Sequence, residues 1–382
     1  MPATAQIKIS ADITEFNKAM GQVEGSMGRI QRLTSTTQGL FGGLARTLGR
    51  VSGVGLFVGL PATIVASQRA IQKFEKNMLE VYTLLPHANR RAFEQMKKDA
   101  VGFSSKFGMP TEEVALGMYQ SISAGQSPKG LTDDGSFMEI AMKAAKAGVT
   151  DLRTAVDALT TVTNSYGEAT YDVQYIADQM FSAVSMSKTT FKEISDYMYQ
   201  IVPTAAAMKV GIDDLTGSIS ALAASGTLTR VGTTQLRQFL VEIARTGNIA
   251  NSAFLQGSGG LPVQTFIRNG GRIIDIIKIM GDVAKRRKTD LRNLFSSIEA
   301  GNAALTLYNS TMFAGMDAQQ KGGAEGMLET AFQKIYNGMD DRVKRVSTTF
   351  MNVFTQIGQA LYPVFDDILA VSYTHLRAHE TL

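Results

Sequence analysis

The stretch Thr190-Phe191-Lys192-Glu193-Ile194-Ser195-Asp196-Tyr197-Met198-Tyr199-Gln200-Ile201-Val202-Pro203 decides the fold class. Thr190 and Glu193 stand at capping-box spacing, where the hydroxyl and the carboxylate satisfy each other's backbone N–H groups at a helix start. Phe191, Ile194, Met198 and Ile201 then recur every three or four residues, one face of a helix, and Pro203 ends the stripe. The same grammar of cap, stripe and Gly/Pro stop extends in both directions.

Downstream it predicts helices over 213–225, 233–246 and 272–285, punctuated by Gly211-Ile212-Asp213-Asp214 and by Gly226 to Gly232. Around the opening stretch it predicts 137–147, 151–165, 168–186 and 190–209, with Gly148-Val149-Thr150-Asp151 as a stop and restart. Further upstream, Gly108-Met109-Pro110 ends one helix, Thr111 is the expected cap of the next, and Glu112 and Glu113 suit its positive end. The loop Gln126 to Ser136 follows. Before it lie two stripes, Ile71, Phe74, Met78, Tyr82, Leu85 and Phe93, Met96, Val101, Phe103, broken at Pro86. Residues 290–370 are again helical in pattern.

Two stretches depart from this. Ile7, Ile9, Ala11 and Ile13 alternate as in a short strand, and Val263 to Ile273 reads as a minor β-hairpin around an Asn269-Gly270 turn. The expectation is therefore an all-α protein, an elongated multi-helix bundle with a short N-terminal strand and a minor β-hairpin near 263–273. The spacing is too irregular to show a solenoid period. Six segments are expected: an N-terminal strand and helix (1–38), a Gly-rich apolar segment (39–68), a helical core domain (69–256), a hairpin and helix with a basic end (257–289), a helical segment (290–370), and 371–382. The last reads as a translated sequencing-adapter scar, in which case the natural protein continues past Ala370.

Composition narrows the chemistry. Hydrophobic residues are 44% and charged residues 19% of 382, enough apolar material for a core and too little charge for pervasive disorder. Thirty-six Gly and 19 Met suit helices that approach closely and repack. With no Cys there is no disulfide, thiol nucleophile or Cys-ligated zinc. A net charge of +4, spread over this length, is too small to argue for nucleic acid.

The candidate chemical motifs reduce to structural readings. Gly49, Gly53 and Gly55 match a nucleotide-fingerprint spacing but lack the strand before and the parallel strand after, so no cofactor is expected. Asp133-Asp134, Asp213-Asp214, Asp340-Asp341 and Asp366-Asp367 are adjacent pairs, which do not converge on one substrate atom. His87 is the only histidine outside the suspect tail, so neither a Ser-His-Asp triad nor a His-based zinc site can be assembled, and no enzyme is expected. Lys285-Arg286-Arg287-Lys288 reads as cations at a helix C-terminus. The uncharged run Val51 to Gln68 is close to membrane-span length, with Gly55 and Gly59 at a helix-packing step and Pro61 mid-span. A buried helix is the commoner outcome for so short a run. A membrane-perturbing role built around 39–68 is the alternative function.

From Phe74 to about Leu255 the order of motifs resembles the core region of phage tail tape-measure (minor-tail) proteins. Phe74-Glu-Lys-Asn-Met-Leu-Glu-Val, Phe107-Gly108-Met-Pro-Thr111-Glu-Glu-Val-Ala, Ile122-Ser-Ala-Gly125, Ile140 to Gly148 with Asp151-Leu-Arg-Thr-Ala, Tyr175-Ile-Ala-Asp178, Met208-Lys-Val-Gly211-Ile-Asp-Asp-Leu, Ala221 to Gly226, Gly232-Thr-Thr-Gln-Leu-Arg237 and Leu294 to Ala304 follow the family's order. The Gln126–Ser136 insertion is longer than the family pattern. The resemblance implies a non-enzymatic virion protein that acts as a tail-length ruler and scaffold for tube assembly and leaves at genome ejection. It implies self-association in the tail lumen, contacts with tail tube protein, tail assembly chaperones and tail-tip proteins, and a location in the virion tail after assembly in the host cytoplasm. Gly108, Thr111, Gly125, Asp178, Gly211, Gly226, Gly232 and Arg237 are the motif positions it marks.

Overall fold

A computed structural model of the chain describes residues 60–85, 90–133, 135–167, 169–349 and 351–352. The chain divides into two compact units, one of residues 78–345 and one of 1–77 with 346–382. In the latter, residues 60–77 are the first turns of a helix, and 346–349 are helical as well. The expected strand at 5–13, the segment 39–59, Pro86, His87 and the tail 371–382 lie outside the described residues.

Every described element is helical. In chain order they are α1 (Leu60–Thr83), α2 (Arg90–Phe107), α3 (Thr111–Ser123), α4 (Phe137–Ala147), α5 (Leu152–Tyr166), α6 (Val173–Met186), α7 (Phe191–Ala207), α8 (Ile212–Ala224), α9 (Thr229–Ala244), α10 (Ile249–Gly257), α11 (Val263–Arg268) and α12 (Ile273–Arg286). A 3-10 turn (Leu291–Leu294), α13 (Ile298–Asn309), α14 (Phe313–Gly322) and α15 (Met327–Tyr336) complete them. Residues 339–349 are helical again.

The expected hairpin at 263–273 is a short helix and a turn. Val263 and Ile267 are buried at helical spacing. Gly270, with φ of 92°, ends α11 in a Schellman cap, the N–H of Gly271 reaching the carbonyl of Phe266 at 3.0 Å. Asn-Gly suits a strand turn, but left-handed Gly just past a helix end answers the same sequence. Pro203 does not stop α7, which runs on to Ala207. The bond that proline forfeits belongs to the carbonyl of Tyr199, on an exposed turn where water can satisfy it.

Packing sorts unit 78–345 into two layers. α3, α5, α7 and α9 pack each on the next, and α13 follows α9. α4, α6 and α8 pack likewise in a second layer. The first-layer helices begin at 111, 152, 191 and 229, about 40 residues apart, close to the size of two-helix solenoid repeats. The residue spacing shows no solenoid period, yet the helix starts recur in space, three of the four preceded by a glycine at 108, 148 or 226. Side chains in the first turns tie these helices in parallel register. Glu113 accepts the N–H of Leu152 at 3.2 Å, and Thr189 meets Thr229 at 2.6 Å between their hydroxyls. The first-layer helices supply a hydrophobic core that includes Leu152, Val156, Leu159, Ile194, Met198, Ile201, Leu236 and Phe239, each at most 1% exposed.

At the turn from α4 to α5, sequence and geometry part in an informative way. Gly148 keeps an ordinary φ of −81°, and Val149 takes the left-handed conformation at φ 50°. The glycine is spent on proximity, because a Cβ at 148 would lie 2.4 Å from Cδ1 of Phe191.

Candidate functional site

The densest polar construction in unit 78–345 is where the late helices meet the second layer. α14 packs on α8 and α6, and α15 on α6 and α4. The chain thus runs back over helices made more than a hundred residues earlier.

Four polar ties hold this junction. At the first, Arg272, the residue before α12, reaches Asp213 with Nη1 at 2.6 Å and Asp317 of α14 with Nε at 2.7 Å. Asp214 beside it accepts the N–H of Ile273 at 2.9 Å. The adjacent pair Asp213-Asp214 therefore joins the starts of α8 and α12, and brings three carboxylates to one guanidinium. Asp214 is almost fully buried, and that burial pushes its carboxyl up to about 7, against the pull of Arg272 and the Ile273 N–H. Burial likewise pushes up the nearby Tyr166 hydroxyl, whose O–H donates to the Val210 carbonyl at 2.7 Å.

The second tie is reciprocal. The Gln179 amide donates to the Gln320 carbonyl at 3.0 Å and Gln320 returns the bond at 3.2 Å. At the third, Asp178 accepts the N–H of Gly326 at 3.1 Å and of Leu328 at 2.8 Å, capping α15 from 148 and 150 residues away. The fourth is ionic, Lys143 between Glu139 at 3.2 Å and Glu329 at 3.0 Å. Burial works against the charge of Lys143, but the two carboxylates outweigh it and hold its pKa above the usual lysine range. Beyond α15, Asp341 pairs with Lys146 and Arg345.

The motif positions take structural places. Gly108, Gly125 and Gly226 lie at φ 62°, 101° and 94° and end helices. Thr111 does not cap α3: it is the first helical residue, buried, and Pro110 precedes it without a side-chain cap. Gly211 precedes α8, where a Cβ would meet Asp213 Oδ1 at 2.4 Å. Gly232 is within α9 against Leu222, and Arg237 is half-buried on the same helix. Of these, only Asp178 joins the junction. Pro61, expected mid-span, is the second residue of α1, a place proline tolerates, and Gly55 and Gly59 lie outside the described residues. Among the described residues no helix is long and apolar enough to cross a membrane, and no group of His, Asp and Glu is arranged to hold a metal.

The basic run ends α12 as expected: Arg287 binds Gln256, and Lys285 lies over the Tyr308 ring at 5.5 Å. Arg272, Asp317, Gln179 and Gln320 escaped sequence reading, since no local pattern signals partners 45 to 141 residues apart.

Comparison with known proteins places this architecture. The chain is 26% identical over 357 residues to a "Probable tape measure protein" of Clostridium phage phiCD119, covering 90% of this chain and 38% of that protein. It is 21% identical over 384 residues to the "Tape measure protein" of Pneumococcus phage Dp-1, covering 97% and 32%. The chain thus spans about a third of the length of these relatives. No solved structure matches it. The family model described as "Phage-related minor tail protein" matches residues 97–358, most of the chain and nearly all of the two-layer unit, and the chain belongs to that family.

Proposed function

We propose that this chain is part of a phage tail tape measure, a structural protein of the virion tail that sets tail length, supports polymerisation of tube protein and leaves at genome ejection. The observation that carries the reading is the family match over 97–358, joined by two relatives named as tape measure proteins. A helical unit stapled by long-range polar ties suits a part that other components assemble on. In this reading its partners are further copies of itself, the tail tube protein, tail assembly chaperones and tail-tip proteins, and it acts without a cofactor.

The test is genetic and visual. In a phage that encodes this chain, an in-frame deletion within the gene's helical coding region shortens tails in electron micrographs in proportion to the residues removed. Mass spectrometry of purified virions finds peptides from 97–358. Tails of unchanged length, or virions without those peptides, would refute the proposal.

A further inference from the structure

The stretch 313–336 differs from the rest of unit 78–345 in how it is held. Its two helices are ten residues each, too short to persist alone, and Gly315 weakens the first of them further. Phe313, Met316, Ala324, Leu328 and Phe332 are buried, but the remaining anchors are the polar ties to Arg272, Gln179, Asp178 and Lys143. Those ties are incompletely satisfied. Asp214 Oδ1, Arg272 Nη2, Gln179 Oε1 and Gln320 Oε1 are buried without a hydrogen-bond partner. A buried network with unmet members is where local opening costs least, because water satisfies on opening what the closed state leaves bare.

We infer that residues 313–336 form a strap that opens as one unit from α4, α6 and α8, with the cluster of Asp213, Asp214, Asp317 and Arg272 as its latch. Opening uncovers the side of α4, α6 and α8 that carries Lys143, Asp178, Gln179 and Gly217, the residues set against the strap in the closed state.

The latch also makes opening responsive to pH. The charged and titratable groups facing Asp214 are Asp213 on its own helix, Arg272 ahead of α12, Asp317 on α14 and Tyr166 at the end of α5. With Asp214 protonated, two carboxylates share one guanidinium. With it ionised, three do, and Asp317 is the one on the movable strap. Asp214 stands at about 7 in the closed state, and opening takes away Asp317, a neighbouring carboxylate that raises it, so the closed state holds the extra proton just below that value. Its contribution to closure is lost as pH rises through the window that ends at about 7. Opening therefore becomes easier as pH rises through this window, by up to about tenfold per unit for one linked proton, and levels off above it.

Amide hydrogen exchange of the full chain, read by mass spectrometry from pH 5 to 8 and corrected for intrinsic exchange, tests both parts. Peptides across 313–336 are expected to exchange together at least tenfold faster than those of α5 and α7. Their opening constant is expected to rise from pH 5 to 7 in the wild type and to stay flat in Asp214→Asn, which keeps an acceptor for Ile273. Protection of 313–336 equal to that of α5 and α7 would overturn the strap. A rise that persists in Asp214→Asn would overturn the latch. Should that variant not fold, Asp317→Asn supplies the second reading: faster strap exchange with α5 unchanged supports the latch, and unchanged strap exchange sinks it.

Discussion

Exchanging the roles of two adjacent residues offers a sharp test of the turn between α4 and α5. Val149 holds φ 50° with its side chain 81% exposed, so it carries left-handed strain and buries little in return. The left-handed conformation costs an L-residue about 1–2 kcal/mol, at the upper end for a β-branched side chain. Glycine removes that cost but loses about 0.5–1 kcal/mol more entropy on folding. Val149→Gly is therefore expected to stabilise the fold by about 0.5–1 kcal/mol, or about 1–3 °C in Tm for a unit of this size. Gly148→Ala, one residue earlier, should do the reverse. Its Cβ would fall 2.4 Å from Phe191 Cδ1 and 2.8 Å from the Ala144 carbonyl, and Phe191 is only 2% exposed and has nowhere to move. The overpacking costs about 1–3 kcal/mol. Urea unfolding of both variants, followed by circular dichroism, measures the two changes. A Val149→Gly protein less stable than wild type, or a Gly148→Ala protein as stable as wild type, would refute the assignment of strain to 149 and proximity to 148.

Three further sites, one of them in a tie to 313–336, give predictions of the same kind. Asp178→Ala strips the acceptor from the buried N–H of Leu328 and the half-buried N–H of Gly326, and is expected to cost about 1–3 kcal/mol in urea unfolding, with Asp178→Asn costing less because it keeps one acceptor oxygen. Glu242 accepts the N–H of Ser296 at 2.7 Å and of Ser297 at 2.8 Å, fixing the start of α13 against the end of α9. Glu242→Ala is expected to lower the urea midpoint comparably, and a variant as stable as wild type would show that water replaces the carboxylate. A Cβ at Gly281 would lie 2.1 Å from Cε2 of Tyr308. Gly281→Ala should lose about 1–3 kcal/mol in the wild type and much less in a Tyr308→Ala background, a non-additivity that a double-mutant cycle reads directly.

The helices were legible where their ends carried local chemistry. Thr190 with Glu193, Asp151 and the glycines at 125 and 226 all act within one turn of themselves, and the observed bounds follow from them. Reading failed where a short signal had two physical answers. Asn269-Gly270 served a helix end instead of a hairpin, and Thr111 yielded the cap position to Pro110. The two-layer order was illegible for another reason. Each first-layer helix carries its own set of apolar residues, so the period of about 40 shows only in the helix starts and in the glycines at 108, 148 and 226 ahead of three of them. Asp213-Asp214 illustrates the limit for the junction. Its place at the start of α8 follows from the local sequence, but its partners at 272, 273 and 317 are set by topology alone.

The return of 313–336 over earlier helices has a consequence for synthesis. Asp178 leaves the ribosome long before Gly326 and Leu328, the groups it caps. At about 5–20 residues per second the interval is about 7–30 s. For about the last two thirds of that time α4, α6 and α8 are complete, while the groups they offer to 313–336 are unmet. Each nascent chain thus passes through a stage at which Lys143, Asp178 and Gln179 wait for their partners on 313–336, and the last 30 or so residues of the unit decide when that stage ends.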